Sequence, residues 1–106
     1  MDIEIWNKIV SEFKTNPRDV STFPMRNTTP KWFYVYVMSG NVYVESGRFH
    51  KNVSSIKGTR KLNNEELDEM LILHRRRKRG ESVSQEATQR TVNQVYWYGI
   101  FKEIGL

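Results

Sequence analysis

A strand-turn-strand segment in the first half of the chain constrains the fold more than any other feature. Lys31 to Ser39 contains an unbroken run of β-branched and aromatic residues, which is typical of a strand. Gly40-Asn41 follows, and Val42 to Glu45 is a second short run of the same kind. The pattern therefore predicts a β-hairpin with a type II′ turn at Gly40-Asn41, in a register that places Val37 opposite Val44.

The two faces of this hairpin carry different side chains, because successive residues of a strand point to opposite sides. One face is aliphatic apart from a phenylalanine, and it comprises Phe33, Val35, Val37, Val42 and Val44. The other face is mainly aromatic, and it comprises Trp32, Tyr34, Tyr36, Met38 and Tyr43. Both faces are rich in apolar atoms. We therefore expect helices to cover at least one of them, and the sequence leaves open whether the second is covered too.

Apolar periodicity predicts three helices around the hairpin. Asp2 to Lys14 has apolar residues at three- and four-residue spacing. A second helix is expected to begin at Asn63, which has a glutamate three residues later as in a capping box, and to end at Gly80. A third helix is expected to begin near Ser82 or Ser84 and to continue almost to the last residue.

The remaining segments complete the expected fold. Residues 15 to 30 contain three prolines and are predicted to be a connector, and a third strand is placed within Val53 to Thr59. We therefore predict one α+β domain over residues 1–106. Its small antiparallel sheet has two to three strands and packs with one N-terminal and two C-terminal helices.

Several classes of chemical site are excluded by residue type. The chain has no cysteine, so it has no disulfide, no thiolate nucleophile and no cysteine-ligated metal centre. Its two histidines are His50 and His74, and the helical position of His74 indicates a core residue. No glycine-rich phosphate loop and no Gly-x-Ser-x-Gly pattern is present. We expect no metal and no cofactor, and the pattern favours a protein that is not an enzyme.

The sequence also predicts where the protein acts. Its amino terminus begins with acidic residues, unlike a secretory signal. The longest mostly apolar run, Trp32 to Met38, has seven residues, whereas a membrane helix needs roughly 20. We expect a cytoplasmic protein without a membrane partner.

Positive charge is concentrated in one stretch of the chain. The net charge is +5, and the first 62 residues hold ten Lys or Arg and five Asp or Glu, while the rest is balanced. Ser46 to Leu62 contains no acid, and its cations are Arg48, Lys51, Lys57, Arg60 and Lys61. Cations interspersed with serine and asparagine suit phosphate binding, and a basic, solvated loop is the alternative interpretation.

A second basic run, Arg75 to Arg79, falls at the end of the second predicted helix. Cations there complement the negative end of the helix dipole, which accounts for much of the run. Arg76 and Lys78 have no acid three or four residues before them, so we expect them to project charge outward and to join the nucleic-acid-binding set. The two helices that meet near Gly80 also leave open a helix-turn-helix mode of binding.

These observations support three hypotheses for function. The first is a non-catalytic module that binds DNA or RNA. The second is a module that binds proteins or ligands, or forms a homodimer, through exposed aromatic residues. The third is a small ribonuclease in which His50 moves a proton beside Arg48 and Lys51. A surface histidine in a basic loop is the simpler interpretation of the pattern around His50.

Overall fold

The computed structural model describes all 106 residues and consists of four strands and four α-helices. In chain order they are α1 (Ile3–Thr15), β1 (Arg18–Ser21), β2 (Trp32–Met38), β3 (Asn41–Ser46), β4 (Thr59–Lys61), α2 (Leu67–Lys78), α3 (Ser84–Arg90) and α4 (Gln94–Glu103). The strands form one sheet in the order β1-β2-β3-β4, and each pair is antiparallel. The predicted α+β class is confirmed.

The predicted hairpin is present, but its turn lies one residue earlier than expected. Val37 pairs with Val42 rather than with Val44, and the turn residues are Ser39 and Gly40. Both have positive φ, 52° and 76°, which is the geometry of a type I′ turn that matches the twist of the strands. Because the pairing differs from the prediction by two residues, every side chain stays on the face that the sequence predicted.

The prediction of two to three strands is too low, because both edge strands were missed or misplaced. β1 lies inside the segment that was predicted to be a connector, and Val20 is its only apolar residue. β4 begins at Thr59, whereas Val53, within the predicted third strand, forms only a single bridge with Trp32. Both edge strands are short and mostly polar, so their sequences carry no strong alternation.

The predicted third helix is two helices in the structure, which makes four in all. The chain between α3 and α4 contains Thr91, which is extended, with φ −160° and ψ 153°. Its hydroxyl accepts a hydrogen bond from the N–H of Asn93 at 2.9 Å. This local side-chain bond competes with the helical pattern and interrupts it, although the apolar periodicity on either side is helical.

The ends of α2 follow the sequence signals with one exception. Asn63 caps the segment by accepting from the N–H of Glu65 at 3.0 Å, and a 3₁₀ turn, Asn64–Glu66, precedes α2. The Glu66 carboxylate does not complete a capping box, because it accepts from the indole N–H of Trp97 at 3.2 Å. At the other end, Gly80 has φ 92° and ends the helix as predicted.

The helices cover the aliphatic face of the sheet, where the hydrophobic core lies. Phe33, Val35, Val42 and Val44 are completely buried. Helices α1 and α4 supply the opposing side chains, chiefly Trp6, Ile9, Phe13, Trp97, Ile100 and Phe101. His74 is buried with them, as its helical position indicated. Each helix is too short or too polar to cross a membrane.

Candidate nucleic-acid interface

The aromatic face of the sheet lies on the side away from the helices, and we call it the open face. It carries a row of rings. Tyr36 and Tyr43 are directly opposite in the β2–β3 pairing, with ring centroids 5.5 Å apart and planes at 20°. Tyr34 continues the row at 6.0 Å from Tyr36. Trp32 lies at the end of the row on the same strand. Trp32, Tyr36 and Tyr43 are half-buried, so part of each ring faces solvent.

Asp19 holds the segment Arg48–His50 over one end of the open face. It lies opposite Tyr34 in the β1–β2 pairing, so its side chain is on the same side as the rings. The Asp19 carboxylate accepts from the main-chain N–H of Arg48 at 2.9 Å and from that of Phe49 at 2.8 Å. Its Oδ2 also contacts Nδ1 of His50 at 2.8 Å. One buried carboxylate therefore positions three consecutive residues.

The ionised carboxylate of Asp19 determines which ring nitrogen of His50 donates the hydrogen bond between them. Burial alone would raise the pKa of Asp19, but the hydrogen bonds from His50 and from the two main-chain N–H groups outweigh it and lower that pKa. The carboxylate is therefore ionised at neutral pH and can only accept, so Nδ1 of His50 is the donor. The Nε2 atom makes no hydrogen bond within the chain, and the side chain is 40 % exposed.

The same three residues pack against the aromatic row. The His50 ring stacks on Trp32, with centroids 3.5 Å apart and planes at 7°. The Arg48 guanidinium lies 4.0 Å from the centroid of Tyr34, where the ring face attracts a cation. Phe49 approaches Tyr34 at 6.2 Å but is 76 % exposed. The segment thus adds a cation, an imidazole and an exposed ring to the open face.

The predicted cations between residues 46 and 62 divide between the two sides of the sheet. Lys61 lies opposite Tyr43 in the β3–β4 pairing, so it belongs to the open face with Arg48. Lys51 follows directly after His50, and Lys57 precedes β4; both are exposed. Arg60 lies on the helix side instead, and its guanidinium donates to Asn93 at 3.2 Å.

The two predicted cations of α2 lie outside the open face. Arg76 pairs with Glu81 at 2.9 Å and with Glu86 at 2.7 Å. The expectation that it projects unmatched charge is wrong, because the acids that neutralise it follow it in the sequence rather than precede it. The ammonium of Lys78 donates to the main-chain oxygen of Leu106 at 3.2 Å.

The acids of the open face are also engaged in contacts within the chain. Asp19 is buried under its three hydrogen bonds, and Glu45 pairs with Arg48 and accepts from the Thr59 hydroxyl at 3.2 Å. Sequence reasoning did not identify Asp19 as part of the site. It is a single acid in a polar segment, and its partner His50 is 31 positions away, so no local pattern could have connected them.

Comparison of the chain with protein-family models, with curated proteins and with solved structures finds no match. No cluster of three or more His, Asp or Glu side chains in the structure could hold a metal ion.

Proposed function

We propose that this protein is a non-catalytic module that binds single-stranded nucleic acid on the open face. The observation that carries the proposal is the half-exposed pair Tyr36 and Tyr43 on the open face, with Arg48 and Lys61 beside the aromatic row. Bases stack on exposed aromatic rings whatever their sequence, and flanking cations attract the phosphates. The two acids nearest the rings are already paired, which reduces their repulsion of phosphate.

The spacing of the rings favours a single strand over a duplex. Alternate residues of β2 are about 6.8 Å apart along the strand. That distance is about twice the 3.4 Å step between phosphates along the axis of a duplex strand. Bases that contact successive rings must therefore be unstacked from one another, which a flexible single strand permits and a paired duplex does not.

Fluorescence anisotropy with labelled oligonucleotides of roughly 15 nucleotides tests this proposal. The probes are oligo-dT, oligo-U and a duplex of the same length, each measured at several salt concentrations. We expect both single strands to bind more tightly than the duplex, with an affinity that falls as salt rises. Absence of binding to all three probes at low salt would overturn the proposal.

Substitutions locate the binding surface. Tyr43→Ala removes one stacking ring and is expected to cost about 1–3 kcal/mol of binding free energy. Arg48→Ala is expected to reduce the slope of log affinity against log salt by about one. Arg76→Ala is the matched arginine control, because Arg76 is also paired with carboxylates but lies on α2, outside the open face. Wild-type affinity in the folded Tyr43 and Arg48 variants would show that the strand binds elsewhere.

A second candidate, RNA cleavage, is favoured by the contact between His50 and Asp19. Ionised Asp19 orients the imidazole and leaves Nε2 free to move a proton beside Arg48. In such a reaction the ribose 2′-oxygen bonds to phosphorus and loses its proton, and the 5′-oxygen leaves and gains one. Gel analysis of the oligo-U samples decides between the candidates. Cleavage that is lost in His50→Ala would establish the enzyme, and intact RNA would reject it.

Self-association through the same rings is the third outcome that can be measured. Sedimentation velocity over a range of protein concentrations reports a dimer directly. A dimer that disappears in Tyr43→Ala, together with no oligonucleotide binding, would replace the nucleic-acid proposal with the homodimer.

A further inference from the structure

Two adjoining clefts lie away from the open face, where the β1–β2 connection meets α2 and α4. The larger has a volume of about 510 Å³, within the usual range for small-molecule sites. The smaller, of about 410 Å³, lies beside it. Arg77 of α2 and Tyr98 of α4 line both clefts, so they stand where the two meet.

The lining of the larger cleft is basic and rich in hydroxyl groups. It contains two cations, Lys31 and Arg77, and no Asp or Glu. Its other residues fall into two groups, hydroxyl side chains and apolar or aromatic walls. The hydroxyl group comprises Thr22, Thr28, Thr29, Ser54 and Ser55, and the walls comprise Phe23, Pro24, Val95, Tyr96 and Tyr98. Such a lining offers hydrogen-bond donors, positive charge and flat apolar contacts.

Arg77 has a positive charge that no carboxylate balances. Its guanidinium donates to the main-chain oxygen of Phe23 at 2.6 Å and lies 4.3 Å from the ring centroid of Tyr98. Burial lowers the pKa of Arg77, yet an arginine remains protonated in a protein. The neighbouring Arg76, by contrast, has two carboxylate partners. The chain therefore holds a half-buried cation beside a cleft with most of its donors free.

Two buried polar atoms, on residues that line the smaller cleft together with Arg77, have no hydrogen-bond partner. They are the Tyr98 hydroxyl and Oε1 of Gln94, which lines the smaller cleft. Burial raises the pKa of Tyr98, so its hydroxyl stays protonated at neutral pH. Buried polar atoms are nearly always paired, and the unpaired Tyr98 hydroxyl, on the ring that lies against the Arg77 guanidinium, indicates a place for a hydrogen-bond acceptor.

We propose that the larger cleft binds a small organic phosphate, with its phosphate group between Lys31 and Arg77. A phosphomonoester carries a charge of about −1.5 to −2 at neutral pH, which matches two cations better than a single carboxylate does. Its oxygens accept from the guanidinium and from the surrounding hydroxyl groups. The organic part of the ligand lies against Phe23 and Tyr96. The acid of the smaller cleft, Glu81, is already paired with Arg76 and Arg79.

Titration of the full chain with a matched set of probes tests the site by calorimetry and by ¹H–¹⁵N NMR. The probes are phenyl phosphate, phenyl sulfate, benzoate and inorganic phosphate. We expect phenyl phosphate to bind most tightly, with a Kd at or below about 1 mM, and to shift the amide signals of Lys31, Ser55 and Tyr98. Failure of phenyl phosphate to bind, or equal binding of benzoate, would overturn the assignment.

Variants separate this site from the open face. Lys31→Ala changes an exposed residue and Arg77→Lys keeps the charge, so both are expected to fold. Each is expected to weaken phenyl phosphate binding by about tenfold. Tyr43→Ala is the control and is expected to leave this binding unchanged. Unchanged affinity in Lys31→Ala and Arg77→Lys would show that the probe binds elsewhere, whatever the oligonucleotide experiments show.

Discussion

Replacing Asp19 by asparagine tests the contact that organises the open face. The substitution preserves the shape of the side chain but removes its charge and one of its two acceptor oxygens. In the structure Oδ1 accepts from Arg48 N–H, while Oδ2 accepts from Phe49 N–H and from His50. In either orientation of the asparagine amide, its NH₂ group faces at least one main-chain N–H, so a donor meets a donor.

The size of the effect follows from the burial of these bonds. A hydrogen bond to a charged group contributes about 1.5–3 kcal/mol, and Asp19→Asn removes one outright and weakens the others. The Asp19 side chain is only 2 % exposed, so water cannot replace the lost partner. We expect the free energy of unfolding to fall by about 3 kcal/mol, which corresponds to a decrease in Tm of roughly 12 °C or more.

Urea denaturation and amide hydrogen exchange measure the two parts of this prediction. Exchange at Arg48 and Phe49 is expected to accelerate, because their N–H groups lose the acceptor that protects them. Asp68→Asn is the matched control, since Asp68 is an exposed carboxylate that also accepts a main-chain N–H. A loss of stability below about 1 kcal/mol, with unchanged exchange at these two amides, would refute the anchoring role of Asp19.

The pH dependence gives an independent check. The pKa of Asp19 is lower in the folded chain than the ordinary aspartate value of about 3.9. Its contribution to stability is therefore complete above that value and is lost as the pH falls through the folded-state pKa. The difference in stability between wild type and Asp19→Asn is expected to shrink as the pH is lowered below about 4. A difference that stays constant into strong acid would contradict the assignment.

Three further substitutions test the scaffold. Gly99→Ala places a Cβ 2.7 Å from the main-chain oxygen of Ser21 and 2.9 Å from the Phe33 ring. Although alanine has the better helix propensity, we expect the free energy of unfolding, measured by urea denaturation, to fall by about 1–2 kcal/mol. Ser39→Asn puts a residue that tolerates positive φ into the type I′ turn. We expect the free energy of unfolding to rise by about 0.5 kcal/mol and the Tm to rise by a few degrees. A fall in Tm would argue against the turn assignment. Burial lowers the pKa of His74, so the wild type is expected to lose stability as the pH falls below the ordinary histidine value of about 6.5. His74→Gln is expected to flatten the curve of unfolding free energy against pH below that value.

The central hairpin could be predicted because its signal is local. Alternation of side chains assigns residues to faces without knowledge of the rest of the chain, and Phe33 and Val44 are buried as expected. The turn was misplaced because Ser39 adopts a left-handed conformation that serine disfavours. The edge strands were missed because main-chain pairing with β2 and β3, rather than an apolar pattern, holds them in place.

The candidate site could be predicted from the sequence only in part, for a related reason. The basic stretch and the aromatic face are each recognised from neighbouring residues, but the structure places Arg48 and Lys61 of the stretch on that face and Arg60 on the other. Arg60 differs from Lys61 by one position and points to the opposite side, because a strand alternates. Without the location of β4, the sequence could not separate these two cations.

The order of the strands has a consequence for how the chain folds during synthesis. Consecutive strands pair with each other, so the sheet closes through connections of at most 12 residues, residues 47–58 being the longest, and the entropic cost of closure is small. The contact between α4 and β1, by contrast, joins positions about 80 residues apart, such as Lys102 and Ser21. Because α4 is synthesised after all four strands, the sheet can form while part of its core-facing side lacks a cover. Docking of α4 against Phe33 then follows formation of the sheet and covers that side of it.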